Sequence, residues 1–328
     1  MDGDRIPQLE LIYPKQLEIN YEQLFRQKKW IPCSDKIGLV PSIFIQSWKT
    51  ALLTERLEQK INLIENLLKE NNQHWEEAFY ITLAKSFGFG TNSQAFEQLA
   101  KSLPVSVLGK HKDQLFQLEA LLFGQAGLLD LEKHDDYSAS LKKEYDFLNA
   151  KYGLTPIDKS QWKLLRLRPD NFPHVRIAQF AWLINSSTKL FSKIVENPNL
   201  GYLRGLFDCE TSTYWNTSYL FVHNSLKHNK RLGNQSVNGI LINAVVPFLF
   251  CFAHTKNNDE LKDKALQILE QIPTERNSII DGWQKLGLIT ESSFDSQALL
   301  QLKKQYCDEK KCLCCRIGHK VLTLQQTE

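Results

Sequence analysis

"PSIFIQSWKTALLTERLEQKINLIENLLKE" occupies residues 41–70. Phe44, Trp48 and Leu52, then Leu57, Ile61, Ile64 and Leu68, recur at the spacing that lines one face of a helix. Pro41 suits a helix start, where its missing N–H leaves no bond unmade. A second helix spans roughly 74–87 and stops at "GFG" (88–90), where Gly88 or Gly90 can take a left-handed cap. The next opens at Thr91 with Gln94 three residues on, a capping-box pattern, and Pro104 ends it. The same periodicity places helices near 15–29, 112–123, 136–152, 173–185, 188–196, 234–254, 259–271, 275–286 and 295–306. Linkers are short and alternating strand patterns are nearly absent. The fold class is therefore all-α, a bundle-like body of about a dozen helices.

Residues 1–14 read as a connector and 15–305 as the helical body. A weak boundary between two lobes is expected near 154–172, where prolines interrupt the helices. Residues 306–328 form a Cys-rich tail packed on the body. The sole methionine is Met1, and "DGDRIPQLEL" after it resembles an interdomain link. An N-terminal domain outside this chain is the expectation drawn from it.

The chain has 328 residues, 42% hydrophobic and 11% aromatic, enough for a large core. A formal charge of +3 is too small to make a nucleic-acid binder by bulk electrostatics, so that role needs a local patch. "GILINAVVPFLFCFAH" (239–254) is short and carries Pro247, so it reads as a core helix rather than a membrane span. The start lacks the basic and apolar regions of a signal peptide. Cys33, Cys209 and Cys251 are isolated in sequence, and a reducing cytoplasm is the expected location.

The remaining four cysteines crowd into "YCDEKKCLCCRIGH" (306–319). Cys307, Cys312 and Cys315 have the spacing C-x4-C-x2-C, and the x2 step lets two thiolates converge across a tight turn. The fourth ligand is left to His319, Cys314 or a distant cysteine. With His319 the set is a Cys3His zinc site. The same spacing opens an iron–sulfur motif, which needs one more cysteine and stands second to zinc. Two other readings stay open: reduced cysteines without metal, and a redox pair.

"KLLRLRPDNFPHVR" (163–176) gathers Arg166, Arg168, His174 and Arg176 around two prolines. Arginines on a loop leading into a helix can grip a phosphate or carboxylate bidentately. The opposing reading is a loop ordered by internal ion pairs. "YWNTSYLFVHNSLKHNKRLG" (214–233) interleaves aromatics with bases. It reads first as a core-facing aromatic edge followed by a solvated basic loop, and second as a stacking surface for single strands. Glu119, in an apolar stretch, is expected to be a buried partner of an arginine. No Walker loop, G-x-G-x-x-G, H-E-x-x-H or G-x-S-x-G occurs.

"EALLFGQAGLL" (119–129), "RLRPDNFPHVRIAQFA" (166–181), "INAVVPFLF" (242–250) and "YCDEKKCLCCRIG" (306–318) together resemble a family of uncharacterised bacterial proteins, the domain of unknown function numbered 2851. The resemblance implies that members carry a further N-terminal β-rich portion with faint similarity to a nuclease core. It implies no mechanism. The expected function is a helical binding or scaffold module for nucleic acid or another phosphate-bearing ligand, with a structural metal knuckle at the tail. Two alternatives are the helical part of a nuclease-like enzyme whose catalytic portion lies upstream, and an iron–sulfur or thiol redox protein.

Overall fold

The computed structural model describes residues 12–323. In chain order its helices are α1 Lys15–Arg26, α2 Ser42–Glu70, α3 Trp75–Phe87, α4 Ser93–Ser102, α5 Val105–Gly109 and α6 Leu115–Gln125. There follow α7 Asp136–Tyr152, α8 Pro173–Ser186, α9 Leu190–Glu196, α10 Leu200–Leu206 and α11 Asn234–Ile240. The last are α12 Val246–Thr255, α13 Asp259–Gln271, α14 Ser278–Lys285, α15 Ser293–Gln301 and α16 Arg316–Thr323. Strands β1 Ser218–Leu220 and β2 His223–Asn224 make one small antiparallel hairpin. The class is all-α, as the periodicity predicts. The short helices α5, α10 and α16 are additional to those expected.

The chain divides into two compact units, residues 1–58 with 273–328, and residues 59–272. The segment 154–172, expected as a weak boundary, lies inside the second unit. Its backbone is pinned there: Ile157 N–H donates to Gln125 O at 2.8 Å, and Trp162 Nε1 donates to Ala126 O at 2.8 Å. The expected connector falls mostly on residues 1–11, outside the described residues.

In the first unit, Trp48, Leu52, Leu53 and Leu57 of α2 are buried, together with Ile280, Trp283, Leu299 and Leu302. Trp30 meets Trp283 edge to face at 5.0 Å. The buried Lys49 is neutralised by Asp295 at 2.9 Å and also donates to Ile289 O at 2.8 Å. After α15 the chain widens into a π-helical turn, Leu302–Cys307.

The second unit is built on aromatic packing. Trp75 stacks on Phe191 at 5.5 Å, and Phe79, Phe248 and Phe252 close around the pair. Glu76 and Glu77, adjacent on α3, serve different ends. Glu76 accepts from the Phe191 and Ser192 N–H groups at the start of α9, and Glu77 accepts from Val105 N–H at the start of α5. Each carboxylate thus caps a helix that lacks a cap of its own. The apolar run at 234–254 is not one regular helix. A π turn, Leu241–Val245, separates α11 from α12, because Pro247 has no N–H to continue the ladder and its ring crowds the preceding turn. By length and composition Asn234–Thr255 matches a membrane span, yet 67% of its most apolar window is buried in the protein. That burial agrees with a core helix.

Gly124 of α6 lies against the ring of Tyr145 on α7, so closely that an added Cβ would stand inside that ring. Gly124→Ala is expected to lower stability by about 1–3 kcal/mol in chemical denaturation, the range for overpacking. A change of a few tenths would contradict the tight α6–α7 contact.

Candidate functional site

The four residues read from "KLLRLRPDNFPHVR" separate into two groups. Arg166 and Arg168 are exposed, whereas His174 and Arg176 are buried in α8. Arg176 Nη1 donates to Gln179 Oε1 at 2.9 Å, and its Nη2 donates to Asn171 Oδ1 and to Ser236 Oγ. Its guanidinium lies 4.2 Å over the ring of Phe89. Burial lowers its pKa to about 10, with Asp170 opposing that shift, so the side chain remains a cation at neutral pH. These contacts hold both terminal nitrogens, while the buried Nε has no partner among the described residues, and Arg176 does not share a surface with Arg166 and Arg168.

The "GFG" stop takes its left-handed turn at Gly90, one of the two glycines expected to do so. Gly88 is right-handed, while Phe89 (φ 42°) and Gly90 (φ 84°) both enter the left-handed region. That conformation holds the Phe89 ring beneath Arg176. The capping box expected at Thr91 does not form. Asn92 is the N-cap of α4, and its side chain is drawn to Lys163 instead, accepting from N–H at 2.8 Å and donating to O at 3.0 Å. No local signal could show a bond that spans 71 positions.

The second basic stretch comes alongside. Trp215 is fully buried and Tyr214 stacks on Tyr137 at 4.3 Å, so the aromatic edge faces the core. Beyond the hairpin, His223, Lys227 and His228 are exposed. Lys230 turns inward, its Nζ 3.6 Å above the Tyr219 ring. Asp170 acts electrostatically on Tyr219, Lys230 and Arg176 alike. Gln179 Nε2 closes the junction by donating to Lys230 O at 2.7 Å. Residues 163–172 and 219–231 therefore meet, although about fifty positions separate them. Among the described residues, Arg166, Arg168 and Lys227 have no ion-pair partner.

Glu119 lies in the second unit with no exposure. It accepts from Tyr137 Oη, which is also 3.1 Å from Ser212 Oγ. Its other oxygen, Oε1, is unpaired. Ser212 and Trp215 lie near enough to draw its pKa down, but burial prevails and raises it to about 7. No arginine is among these partners, so the expected ion pair is replaced by a tyrosine hydroxyl. His174 is buried against Phe123, Trp215 and Phe221, its Nδ1 is unpaired, and burial depresses its pKa to about 3. An apolar cavity of about 360 Å³ lies elsewhere in this unit, lined by Phe79, Tyr80, Leu83, Phe180 and Leu183. Glu76 also borders it but is already committed to the start of α9.

In the first unit, Cys312 and Cys315 are buried, Cys307 is half-buried, and Cys314 is exposed. His319 is exposed as well, and its N–H donates to Cys315 O at 2.7 Å. As the side chains stand, no three His, Cys, Asp or Glu among the described residues are closed on one point as a bound ion requires.

The molecule is thus an all-α protein of two units whose exposed basic loops adjoin in one of them. The family model described as "Protein of unknown function (DUF2851)" matches residues 1–278, and the chain belongs to that family. The Cys-rich tail follows the matched region. No curated protein and no solved structure matches the chain.

Glu119 and His174 predict opposed pH effects. Glu119 titrates higher folded than unfolded, so its penalty grows as pH rises from about 4.5 to 7. His174 titrates lower folded than unfolded, so its penalty grows as pH falls from about 6.5 toward 3. Across about pH 4.5–6.5 the two nearly cancel. Glu119→Gln is expected to leave stability rising with pH there, and His174→Gln to leave it falling, each with a limiting slope of about 1.4 kcal/mol per pH unit. Denaturant titrations at several pH values test this; parallel curves for both variants and wild type would contradict it.

Proposed function

We propose that this protein is a helical binding module that takes a phosphate-bearing polymer, single-stranded nucleic acid foremost, on the adjoining loops 163–172 and 219–231. The observation that carries this reading is their junction. Asp170, Tyr219, Lys230 and Gln179 join the loops, and the unpaired cations Arg166, Arg168 and Lys227 remain in solvent. Lys163 is exposed on the same stretch.

The chemistry is electrostatic. Arginine presents a planar fork that matches two phosphate oxygens, and each phosphate neutralised releases condensed counterions. A net charge of +3 does not oppose this, because the cations are local. Leu165 and Leu226, 88% and 91% exposed, add apolar surface to the two loops.

Fluorescence anisotropy with labelled single-stranded DNA and RNA, repeated over a salt series, tests the reading. The triple variant Arg166→Ala, Arg168→Ala, Lys227→Ala is expected to reduce the log–log salt slope by about 2, at roughly 0.7 per lost phosphate contact. No binding by wild type at low salt, or an unchanged slope in the variant, would overturn it.

A further inference from the structure

We infer that Cys33, Cys307, Cys312 and Cys315 are the four ligands of a soft-metal centre in the first unit, with Cys33 rather than His319 completing the set. Cys33 lies far from the tail in sequence, in the turn after α1. Its carbonyl accepts from Lys36 and Ile37 N–H groups at 3.0 and 2.9 Å, which fixes the turn, and it is buried. Cys307 ends the π-helical turn, a device common where a helix must re-aim a functional side chain. Cys312 and Cys315 flank one tight turn, with Cys315 N–H donating to Cys312 O at 3.3 Å. Gly318 is packed on that turn so closely that a Cβ there would overlap Cys312 O.

Proximity selects these four. Cys33 feels the charges of Cys315 and Cys312, and Cys307 feels those of Cys33, Cys315 and Cys312. Cys314 acts on its chain neighbour Cys315 but not on the other three, and His319 acts on none.

The surroundings of Cys315 supply a second observation. The Gly318 N–H donates to Cys315 Sγ at 3.5 Å, and the Ile317 N–H also lowers that thiol's pKa. Trp48, 7% exposed, has an Nε1–H near Cys315 with no partner among the described residues. A backbone N–H at that sulfur, with an unpartnered indole N–H beside it, is the outer-shell pattern of a metal-bound thiolate.

Ligation requires the thiols to turn toward one another from where they stand, a change in the single torsion that carries each sulfur. Each ligating thiol gives its proton to solvent as its metal–sulfur bond forms. A zinc ion and an iron–sulfur cluster share this four-thiolate chemistry. Either would staple the two chain segments of the first unit, residues 12–58 and 273–323, across the whole of the second.

The test is metal content of the full chain, purified anaerobically without chelator. Zinc, iron and acid-labile sulfide are measured beside the absorption spectrum, and the chain is then reconstituted with Zn²⁺ or with iron and sulfide. About one centre per chain is expected. Zinc without colour identifies the ion; iron with sulfide and visible absorption identifies the cluster. Cys33→Ser is expected to lower the content at least about tenfold, while Cys314→Ser and His319→Ala keep it. Should Cys33→Ser fail to fold, Cys33→His supplies a nitrogen ligand and is expected to hold metal, with a visible spectrum altered from wild type when both carry the cluster or Co²⁺ in place of zinc. Absence of metal before and after reconstitution overturns the proposal. So does full content in Cys33→Ser, or in Cys33→His with an unchanged spectrum.

Discussion

The buried guanidinium of Arg176 is the constraint on which the second unit's surface depends. Removing a cation from water costs several kcal/mol, and no carboxylate touches this one. Its cost is offset by three hydrogen-bond acceptors and an aromatic face. Asn171 belongs to the first basic loop, Ser236 to the helix after the second, Gln179 to α8 itself, and Phe89 to the turn after α3. One side chain therefore ties four segments. Gln179 extends the tie by holding the Lys230 carbonyl. The exposed cations are carried on backbone that this network fixes, which reduces the ordering needed on binding.

The first unit meets a different constraint. Its chain arrives in two pieces separated by 214 residues of the second unit, and closing so long a connection has an entropic cost that a cross-link offsets. Packing supplies part of the closure. Asn20 Nδ2 donates to Leu322 O at 3.0 Å, and Tyr306 Oη donates to Glu55 at 2.8 Å. A thiolate centre linking Cys33 to the tail would act in the same place and direction, where the loop-entropy gain is large.

Helical periodicity made the class legible, because α2 and α13 keep their apolar residues on one stripe. It failed where the period is interrupted from within. The π turn before α12 follows from Pro247, but its position depends on packing. The candidate sites were legible only as composition. Arg166, Arg168, His174 and Arg176 look alike as a basic cluster, yet Pro173 starts a helix that turns the last two into the core. Asn92 and Lys163 meet through tertiary hydrogen bonds that leave no local trace. Glu119 was visible as an acid among leucines, but its partner Tyr137 sits on another helix with nothing in its spacing to mark it.

Hydrogen exchange of Arg176→Lys compared with wild type tests most directly whether one buried cation holds both basic loops. Lysine keeps the charge but cannot reach three acceptors in a planar fork. The account predicts that amides in 163–172 and 225–236 lose protection together, by about tenfold or more, as expected for loss of a buried charged hydrogen bond. Loss confined to one loop, or protection unchanged in both, would contradict it.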